Sequence, residues 1–458
     1  MEEKEVLKEE ILKLLEEKKY YKLKEILNAL EPFDVALLFE EFSKNIFTFL
    51  FRILSKENAA EVFVELDSDM QEILIEGFSD FELEEILNEL YLDDTVDIIE
   101  EMPANVVKRI LKHSSPETRH NINEMLKYPK NSAGSIMTIE FVDLKKNMSV
   151  EDAFTRIRRT GIDKETIYTC YVTDENRVLQ GLVSVKDLLL ADYQEIINDI
   201  METNIIYVNT LDDREEAAQI FGKYDFLALP VVDNEKRLVG IITVDDAIDV
   251  IQEETTEDIE KMVAITPTDK AYMKTGVYET FSKRIPWLLF LMISATVTSK
   301  IINMYEGALS ACVILTSFIP MLMGTGGNSG GQSSATIIRS LSLGDIEMSD
   351  IFKVIWKEIR VSVVCGIVLA AANFIKMMIV DYGAIIQSGQ EPMMIALVVS
   401  LSLALTIVVA KFIGSALPMI AKKIGFDPAV MASPLISTIV DAVSLMIFFG
   451  VASMILKI

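Results

Sequence analysis

The pattern of apolar and polar positions divides the chain into stretches of different character. Residues 1–130 carry apolar positions at three- and four-residue spacing, which predicts amphipathic helices throughout. In residues 131–252, short apolar runs alternate with helical segments, which predicts an α/β region. Residues 285–458 contain apolar runs long enough to cross a bilayer. A polar, acidic helix is predicted over 253–284 as the connection between the α/β region and the first span.

The first stretch contains an internal repeat. The segments ILNALEPFDVALLFEEF (26–42), VFVELDSDMQEILIEGF (62–78) and ILNELYLDDTVDIIEEM (86–102) resemble one another. Each contains the end of a helix, an acidic or proline turn, and the start of the next helix. This repeat predicts a small all-α superhelical domain in which each unit buries its apolar face on its neighbour.

The second stretch repeats once, because VTDENRVLQGLVSVKD (172–187) matches VVDNEKRLVGIITVDD (231–246). Each copy predicts a strand, a polar turn, a second strand, and a helix capped by a hydroxyl side chain. Both copies contain Gly-Φ-Φ-Ser/Thr-x-x-Asp, where Φ is apolar, and the pair resembles a tandem pair of CBS domains. The resemblance implies a nucleotide site in which hydroxyl and carboxylate hold ribose and phosphate. The alternative is that the hydroxyls only cap helices. The candidate residues are Ser184, Asp187, Thr243 and Asp246.

Five membrane spans are predicted from the apolar runs, so the two ends of the chain lie on opposite sides of the membrane. Lysine and arginine cluster before the first span, between the second and third, and between the fourth and fifth. The positive-inside rule then places the large N-terminal part in the cytoplasm and the C-terminus outside the cell membrane. The predicted spans are Ile285–Met304, Ala308–Met323, Val361–Val380, Met393–Ile413 and Pro434–Leu456.

The charge of the chain is concentrated in its first part. The formal net charge is −27, of which residues 286–458 contribute +1 and residues 1–285 contribute −28. An acidic surface argues against nucleic acid as a partner, since phosphate contacts need lysine and arginine. Its carboxylates either keep the surface solvated or bind hard divalent cations. The three cysteines are far apart, which favours neither a disulfide framework nor a zinc site.

Asp441 lies near the centre of the last predicted span, in PLISTIVDAVSLMIFF. A carboxylate there costs about 3 kcal/mol on insertion scales, and such residues usually mark an ion path. The alternative is a protonated side chain that hydrogen-bonds a neighbouring helix. An intramembrane aspartyl protease is disfavoured because that chemistry needs two carboxylates. No catalytic residue is predicted, and the chain is not expected to be an enzyme.

The stretch MGTGGNSGGQSSATIIRSL (323–341) combines many glycines with two amide side chains. It lacks the Gly-Lys-Ser/Thr of a Walker loop and breaks the GxGxxG spacing. Irregular backbone at membrane depth lines a cavity or is buried in protein, so exposed backbone beside an ion path is predicted. Tight helix packing is the alternative, which explains the glycines but not the amides. The candidate path residues are Gly324, Gly326, Gly327, Asn328 and Gln332.

The glycine-rich stretch, followed by DPAVMASPLISTIVDAVSLMIFF (427–449), resembles the MgtE family of magnesium channels. The order of the predicted regions is similar over essentially the whole chain. The resemblance implies a homodimer in the lipid membrane with a Mg²⁺ pore formed by the second and fifth spans. It implies that Asp441 holds hydrated Mg²⁺ and that the glycine-rich stretch forms a pore-lining bend.

The resemblance also implies regulation by cytosolic Mg²⁺, with ions that bridge acidic residues and hold the pore closed. Without cations these carboxylates repel one another, so the domains are expected to separate. Mg²⁺ is therefore expected as transported and regulatory ion, with ATP as the candidate ligand of the CBS pair. The alternatives are a proton- or sodium-coupled carrier and a membrane-anchored sensor without a pore. The regulatory candidates are Asp93, Asp97, Asp225, Asp246, Asp249, Glu254, Glu257 and Asp258.

Overall fold

Two separately packed units make up the chain, residues 1–251 (unit 1) and residues 252–458 (unit 2). The computed structural model describes residues 2–268, 272–431 and 433–457.

Unit 1 begins with short helices that follow one another with turns of a few residues. Polar caps fix the starts of several of them, as at Asp67, Ser79 and Ser115, whose side chains accept backbone N–H groups of the first turn. The predicted repeat is confirmed, since each of its three segments contains the end of one helix and the next helix. The helices are α1 (Glu2–Glu16), α2 (Tyr20–Leu27), α3 (Pro32–Phe39), α4 (Lys44–Phe51), α5 (Lys56–Val64), α6 (Ser68–Gly77), α7 (Asp80–Glu89), α8 (Leu92–Glu101), α9 (Ala104–His113) and α10 (Pro116–Met125).

The rest of unit 1 contains a three-stranded sheet in each sequence repeat. In each sheet the first strand runs parallel to the second, and the second pairs with the third as an antiparallel hairpin. The hairpin turns place Arg177 and Lys236, equivalent residues of the two copies, at φ of 65° and 60°. The predicted α/β repeat is therefore confirmed. Its elements are β1 (Asp143–Lys145), α11 (Val150–Thr160), β2 (Thr169–Thr173), β3 (Leu179–Ser184), α12 (Val185–Leu190), α13 (Ile197–Ile200), β4 (Val208–Asn209), α14 (Arg214–Tyr224), β5 (Ala228–Val232) and β6 (Leu238–Thr243).

The acidic connecting helix is shorter than predicted. Helix α15 (Val244–Met262) begins directly after β6, and the next helix starts only at Val277. Ala264 has a φ of 59°, and Pro267, which lacks a backbone N–H, follows it. Both features end a helix, so the polar pattern alone overestimated its length. Residues 269–271 of the predicted connecting helix lie outside the described residues.

Unit 2 is helical, and four of its described helical segments are long and apolar enough to cross a membrane: Val277–Met304, Met348–Gln387, Pro392–Lys423 and Pro428–Leu456. The predicted second span, Ala308–Met323, is divided between a short helix, a 3-10 turn and the start of a longer, more polar helix. The helices are α16 (Val277–Met304), α17 (Glu306–Ala311), α18 (Ile319–Ser342), α19 (Ile351–Lys376), α20 (Tyr382–Gln387), α21 (Pro392–Lys423) and α22 (Ser433–Leu456).

Helix α18 contains the glycine-rich stretch and packs on α21 and α22. The prediction of irregular backbone is wrong, because α18 is helical over all 24 of its residues. The reason is close packing: a Cβ on Gly414 of α21 would lie 2.2 Å from the carbonyl oxygen of Gly330. Such backbone-to-backbone contact outweighs the low helix propensity of glycine.

Candidate functional site

The first candidate site is an acidic cluster in unit 1 that starts at the beginning of α8. Tyr91 occupies the N-cap position without a side-chain cap, and Asp93 and Asp94 lie in the first turn. Carboxylates are favourable there because the exposed N–H groups of a helix N-terminus carry partial positive charge. The Asp93 side chain is nevertheless directed into the protein, and the residue is only 9% exposed.

The first CBS-like repeat supplies two more carboxylates to this place. Glu140 precedes β1 and Glu165 precedes β2, and because these strands are parallel, their starts lie at the same edge of the sheet. The Glu165 backbone N–H donates to the Glu140 carbonyl oxygen at 2.9 Å. As a result, one carboxylate oxygen from each of Asp93, Glu140 and Glu165 lies within 4.8 Å of the other two.

The second repeat adds Asp246 from the first turn of α15. Thr243 donates a hydrogen bond from Oγ1 to Asp246 Oδ2 at 2.5 Å. Burial raises the pKa of Asp246 to about 7, and the charge of Asp93 adds to the rise. The acidic cluster therefore joins the helical domain to both CBS-like repeats within unit 1.

The pKa values of the remaining members of the cluster are raised as well. Burial raises the pKa of Asp93 to about 7, and Asp94 adds to the rise. Burial, followed by the charge of Asp93, raises the pKa of Glu165 to about 8. The pKa of Asp97 is also raised, first by desolvation and then by Asp246 and Asp93, although its side chain reaches solvent. The ionised carboxylates would repel one another, so the cluster keeps protons up to near neutral pH.

The donor set fits a hard divalent cation. Carboxylate oxygens are the ligands that Mg²⁺ and Ca²⁺ prefer, and opposite ligands of octahedral Mg²⁺ are about 4.2 Å apart. The three oxygens lie within 4.8 Å of one another, a spacing that suits a cation held directly or through its water shell. The buried Oε2 of Glu165 has no hydrogen-bond partner in the described part of the chain. A cation would satisfy this atom and replace the protons of the cluster.

Of the regulatory residues predicted for unit 1, the structure brings Asp93, Asp97 and Asp246 together. Asp249 lies near Glu65, whose pKa is raised first by desolvation and then by the charge of Asp249. Asp225 is an exposed C-cap residue of α14 with a φ of 56°, and its side chain makes no described hydrogen bond or ion pair with the cluster.

The sequence interpretation missed several other acidic residues of the cluster. Glu140 and Glu165 stand alone between elements, and only the parallel pairing of β1 and β2 would have indicated that they meet. The missed residues are Glu65, Asp94, Glu140, Glu165 and Asp245.

The raised pKa values predict how the stability of unit 1 depends on pH without divalent cations. The folded acidic cluster keeps protons that the unfolded chain releases near pH 4, so unfolding becomes easier as pH rises from about 4 to about 8. We expect the melting temperature of residues 1–251 with a chelator to fall by about 5 °C or more between about pH 5 and pH 8. Millimolar Mg²⁺ should remove most of the fall. A melting temperature with chelator that stays constant or rises over this pH range would contradict the prediction.

The second candidate site lies in unit 2, where the acidic end of α15 reaches the other helices. Asp258 Oδ2 accepts a hydrogen bond from Ser342 Oγ at 2.8 Å, at the C-terminal end of α18. Lys261 Nζ lies 2.5 Å from Glu257 Oε1 and 2.6 Å from Asp427 Oδ2, just before α22. Glu254, one turn earlier on the same helix, is half-buried. The predicted regulatory residues of the connecting helix therefore lie where α18 ends and α22 is about to begin.

The third candidate site is the outward face of α18. Gly326 and Gly327 are buried against α21 and α22, with Ser444 Oγ and Ser437 Oγ at 2.9 Å and 3.1 Å from where their Cβ atoms would be. Gly324, Asn328 and Gln332 are exposed. These three residues, which we call the α18 stripe, follow one another at four-residue spacing and lie on one helix face. The structure thus assigns helix packing to Gly326 and Gly327, and leaves the amides accessible.

Asp441 lies on α22, one of the two helices that pack on α18. Ser437 and Ser444, one turn before and after it, face Gly327 and Gly326 of α18. Residues at this spacing share a helix face, so Asp441 is on the side of α22 that is directed toward α18. Asp441 is half-buried, and the α18 stripe offers amide oxygens on the neighbouring helix. A carboxylate and neutral oxygens in this arrangement suit a hydrated divalent cation.

The two motif hydroxyls in unit 1 contact the aspartates of their own motifs. Ser184 Oγ donates to Asp187 Oδ2 at 2.5 Å and accepts the Asp187 backbone N–H, which closes a capping box. Asp187 is exposed, whereas Thr243 is 5% exposed and Asp246 belongs to the acidic cluster. The first copy is therefore open to a ligand, and the second faces carboxylates that disfavour a phosphate.

Comparison with known families matches nearly all of this arrangement. Residues 319–451 match the family described as MgtE, divalent cation transporter, and residues 30–131 match the MgtE intracellular N domain. Residues 133–193 and 197–253 match the CBS domain. The chain is 36% identical to the magnesium transporter MgtE of Thermus thermophilus, over 95% of each chain. It is 32% identical to the magnesium transporter MgtE of Bacillus subtilis, over 97% of this chain and 96% of that one.

Two solved structures are similar to unit 1. One is the crystal structure of the cytosolic domain of the Mg²⁺ channel MgtE in complex with ATP, 37% identical, with a TM-score of 0.50. It covers 52% of this chain and 98% of that chain. The other is the crystal structure of the soluble part of a magnesium transporter, 31% identical, with a TM-score of 0.51, covering 55% of this chain and 99% of that chain.

Proposed function

The chain belongs to the MgtE family of divalent cation transporters, and we propose that it is a Mg²⁺ channel that closes when cytosolic Mg²⁺ rises. Membrane-spanning helices, a CBS pair and an acidic helical domain are the parts from which this activity is built. The observation that carries the proposal is that Asp441 is on the side of α22 directed toward α18, the helix that exposes the α18 stripe. Since Mg²⁺ gives up its water reluctantly, Asp441, Asn328 and Gln332 would hold the hydrated ion through its water shell.

A second copy of the chain would complete the pore. The α18 stripe exposes amide groups on a helix at membrane depth, and such groups are costly against lipid. They must face water or protein, and a two-fold arrangement that brings two α18 stripes and two Asp441 side chains together provides both. Gly324 would keep the path wide, while Gly326 and Gly327 let α18 pack closely against its own protomer.

This arrangement makes α18 the fifth span. Its 24 residues extend about 36 Å at 1.5 Å per residue, enough to cross a bilayer, although it is too polar to resemble an ordinary lipid-facing span. With five spans and the basic residues at their ends, unit 1 lies in the cytoplasm and the C-terminus outside the cell membrane.

Closure would depend on the acidic cluster and on α15. Bound divalent cations supply positive charge that cancels carboxylate repulsion. Asp93, Glu140 and Glu165 then hold the helical domain against the first CBS-like repeat, and Asp97 and Asp246 hold it against the second. Helix α15 starts at the cluster and ends in unit 2, where Asp258 bonds Ser342 at the end of α18. An ion that binds the assembled cluster more tightly than the separated domains therefore favours the closed state, which α15 would pass on to α18.

Mg²⁺ flux into liposomes that contain the purified protein tests the function. We expect a Mg²⁺ influx far faster than carrier turnover, without a proton or sodium gradient, and suppressed by Mg²⁺ on the side of unit 1. Strict dependence on such a gradient would favour a coupled carrier. Absence of flux in protein that is folded and inserted would favour a sensor without a pore.

ATP is the second proposed ligand, held by the first CBS-like repeat. The similar cytosolic domain was crystallised in complex with ATP, and Ser184 and Asp187 are accessible here. The hydroxyl and the carboxylate of the motif would bind ribose and phosphate, with Asp187 free to exchange its bond to Ser184 for one to a ribose hydroxyl.

We expect Asp187→Asn to weaken ATP binding about tenfold or more, since it removes a charge-assisted hydrogen bond. Asp246→Asn should change ATP affinity less than threefold, because its motif faces the acidic cluster. Isothermal titration of the purified protein with ATP measures both. Equal losses in the two variants would place the nucleotide elsewhere.

A further inference from the structure

Three polar side chains meet inside unit 2, on the side of α18 that faces away from the α18 stripe. Lys411 of α21 is 6% exposed and Ser333 of α18 is 2% exposed, and the Glu358 side chain of α19 is 13% exposed. Ser333 Oγ donates to Glu358 Oε2 at 2.6 Å, and Lys411 Nζ donates to Ser333 Oγ at 3.3 Å. Lys411 Nζ is 4.0 Å from Glu358 Oε2. We call these three residues the buried triad.

The buried triad is costly unless all three members are in place. A lysine and a glutamate inside an apolar helical unit lose hydration, which is recovered only when the charges are paired and hydrogen-bonded. Here Ser333 uses its proton toward the carboxylate and its lone pair toward the ammonium, so it connects both charges to α18. The three helices that carry them are therefore fixed relative to one another at one height.

The glycine contacts of α18 do not specify its position in this way. Gly330 packs on Gly414 of α21, and Gly327 packs on Ser437 of α22. Such contacts between small residues are close but weakly directional, whereas a hydrogen bond requires a defined distance and angle. Ser333 follows Gln332 of the α18 stripe directly in sequence. Any rotation or shift of α18 that the buried triad prevents would displace Gln332 relative to Asp441.

We propose that the buried triad sets the axial and rotational position of α18 and thereby aligns the α18 stripe with Asp441. Ser333, Glu358 and Lys411 are positioning residues for cation passage. They act on the side of α18 that faces away from the α18 stripe, and they do not contact the ion. This role rests on the proposed function only for its effect on flux.

Ser333→Ala is the sharpest test, because it leaves Lys411 and Glu358 free to pair directly and removes only the link to α18. We expect melting close to that of the unsubstituted protein and maximal Mg²⁺ flux about tenfold lower, the effect of losing a hydrogen bond to a charged group. The Mg²⁺ concentration for half-maximal flux should change less than about twofold. Ser333→Thr, which keeps the hydroxyl, should retain most of the flux. Ser402→Ala is the matched control, since buried Ser402 donates within its own helix, to the Val398 carbonyl oxygen 2.7 Å away.

A second measurement does not depend on flux. Gln332→Cys, in a background with the native cysteines replaced by alanine, reports the position of the α18 stripe through its rate of reaction with a water-soluble thiol reagent. We expect Ser333→Ala to change this rate at least threefold, and Ser402→Ala to leave it unchanged. A changed rate in a protein without flux would preserve the positioning role and remove the channel function. Unchanged rate and unchanged flux in Ser333→Ala would reduce the buried triad to a contribution to folding and overturn the proposal.

Lys411→Met with Glu358→Gln provides the complementary variant. It removes both charges without leaving one unpaired, so the helices should still fold. Flux and thiol reactivity should nevertheless change as in Ser333→Ala, because the charged anchor of α18 is lost. Behaviour identical to the unsubstituted protein would mean that packing alone positions α18.

Discussion

Replacing Asp441 with asparagine is expected to reduce Mg²⁺ flux about 100-fold while the protein still folds and inserts. Asparagine has the same shape, so the packing of α22 against α18 through Ser437 and Ser444 is retained. What is lost is a full negative charge at membrane depth, where the dielectric constant is low and water cannot replace it. In a two-fold pore the substitution removes two such charges, and the α18 stripe supplies only neutral oxygens. Flux into liposomes and growth of a strain that lacks Mg²⁺ uptake both measure the effect.

The control is Asp350→Asn, at the start of α19, where the carboxylate pairs with the exposed Lys353. It removes the same charge from the same unit outside the proposed path and should leave flux within about twofold, as expected for a surface pair. Normal Mg²⁺ uptake by Asp441→Asn would contradict the assignment of Asp441 to the pore. Equal losses in the two variants would point to a general effect of charge on insertion.

The sequence predicted best the features that depend on local chemistry. The two hairpins of the CBS-like repeats were placed correctly because the polar turns at Arg177 and Lys236 and the alternation around them are local signals. The glycine-rich stretch was misjudged, because helix propensity is also local and takes no account of the partner helix. The approach of Gly330 to Gly414 explains why this stretch is helical.

The candidate sites were predicted in part for the same reason. Asp93, Asp97 and Asp246 were found through the family resemblance, but Glu140 and Glu165 depend on the parallel pairing of two strands. Lys411 does not stand out in the sequence, because a lysine near the end of an apolar run is usually explained by a side chain that reaches the membrane surface. Its partners Ser333 and Glu358 lie on two other helices, and no spacing in the sequence connects them.

Replacing Asp93 with asparagine together with Glu165 with glutamine should raise the Mg²⁺ concentration needed to close the channel about tenfold or more. Two of the three converging carboxylates become neutral while their shape is kept, so the remaining Glu140 binds a cation weakly. The same change removes repulsion that now raises the pKa of both groups. Unit 1 should therefore melt at a higher temperature than the unsubstituted protein at pH 8 without Mg²⁺, and gain less from Mg²⁺. Suppression of flux by Mg²⁺ on the side of unit 1 gives the first effect, and thermal melting gives the second.

The opposite signs of these two effects separate a metal site from a structural cluster. If the carboxylates merely stabilised the fold, their loss would lower the melting temperature with and without Mg²⁺. Asp225→Asn is the matched control, because Asp225 was predicted as a regulatory ligand but is exposed at the end of α14. It should leave the closing concentration within about twofold. If Asp225→Asn raised the closing concentration as much as the double variant does, Asp225 would be a regulatory ligand, as predicted from the sequence, and an ion would bind outside the acidic cluster. An unchanged closing concentration in the double variant would remove regulation from the cluster while leaving the pore at Asp441 intact.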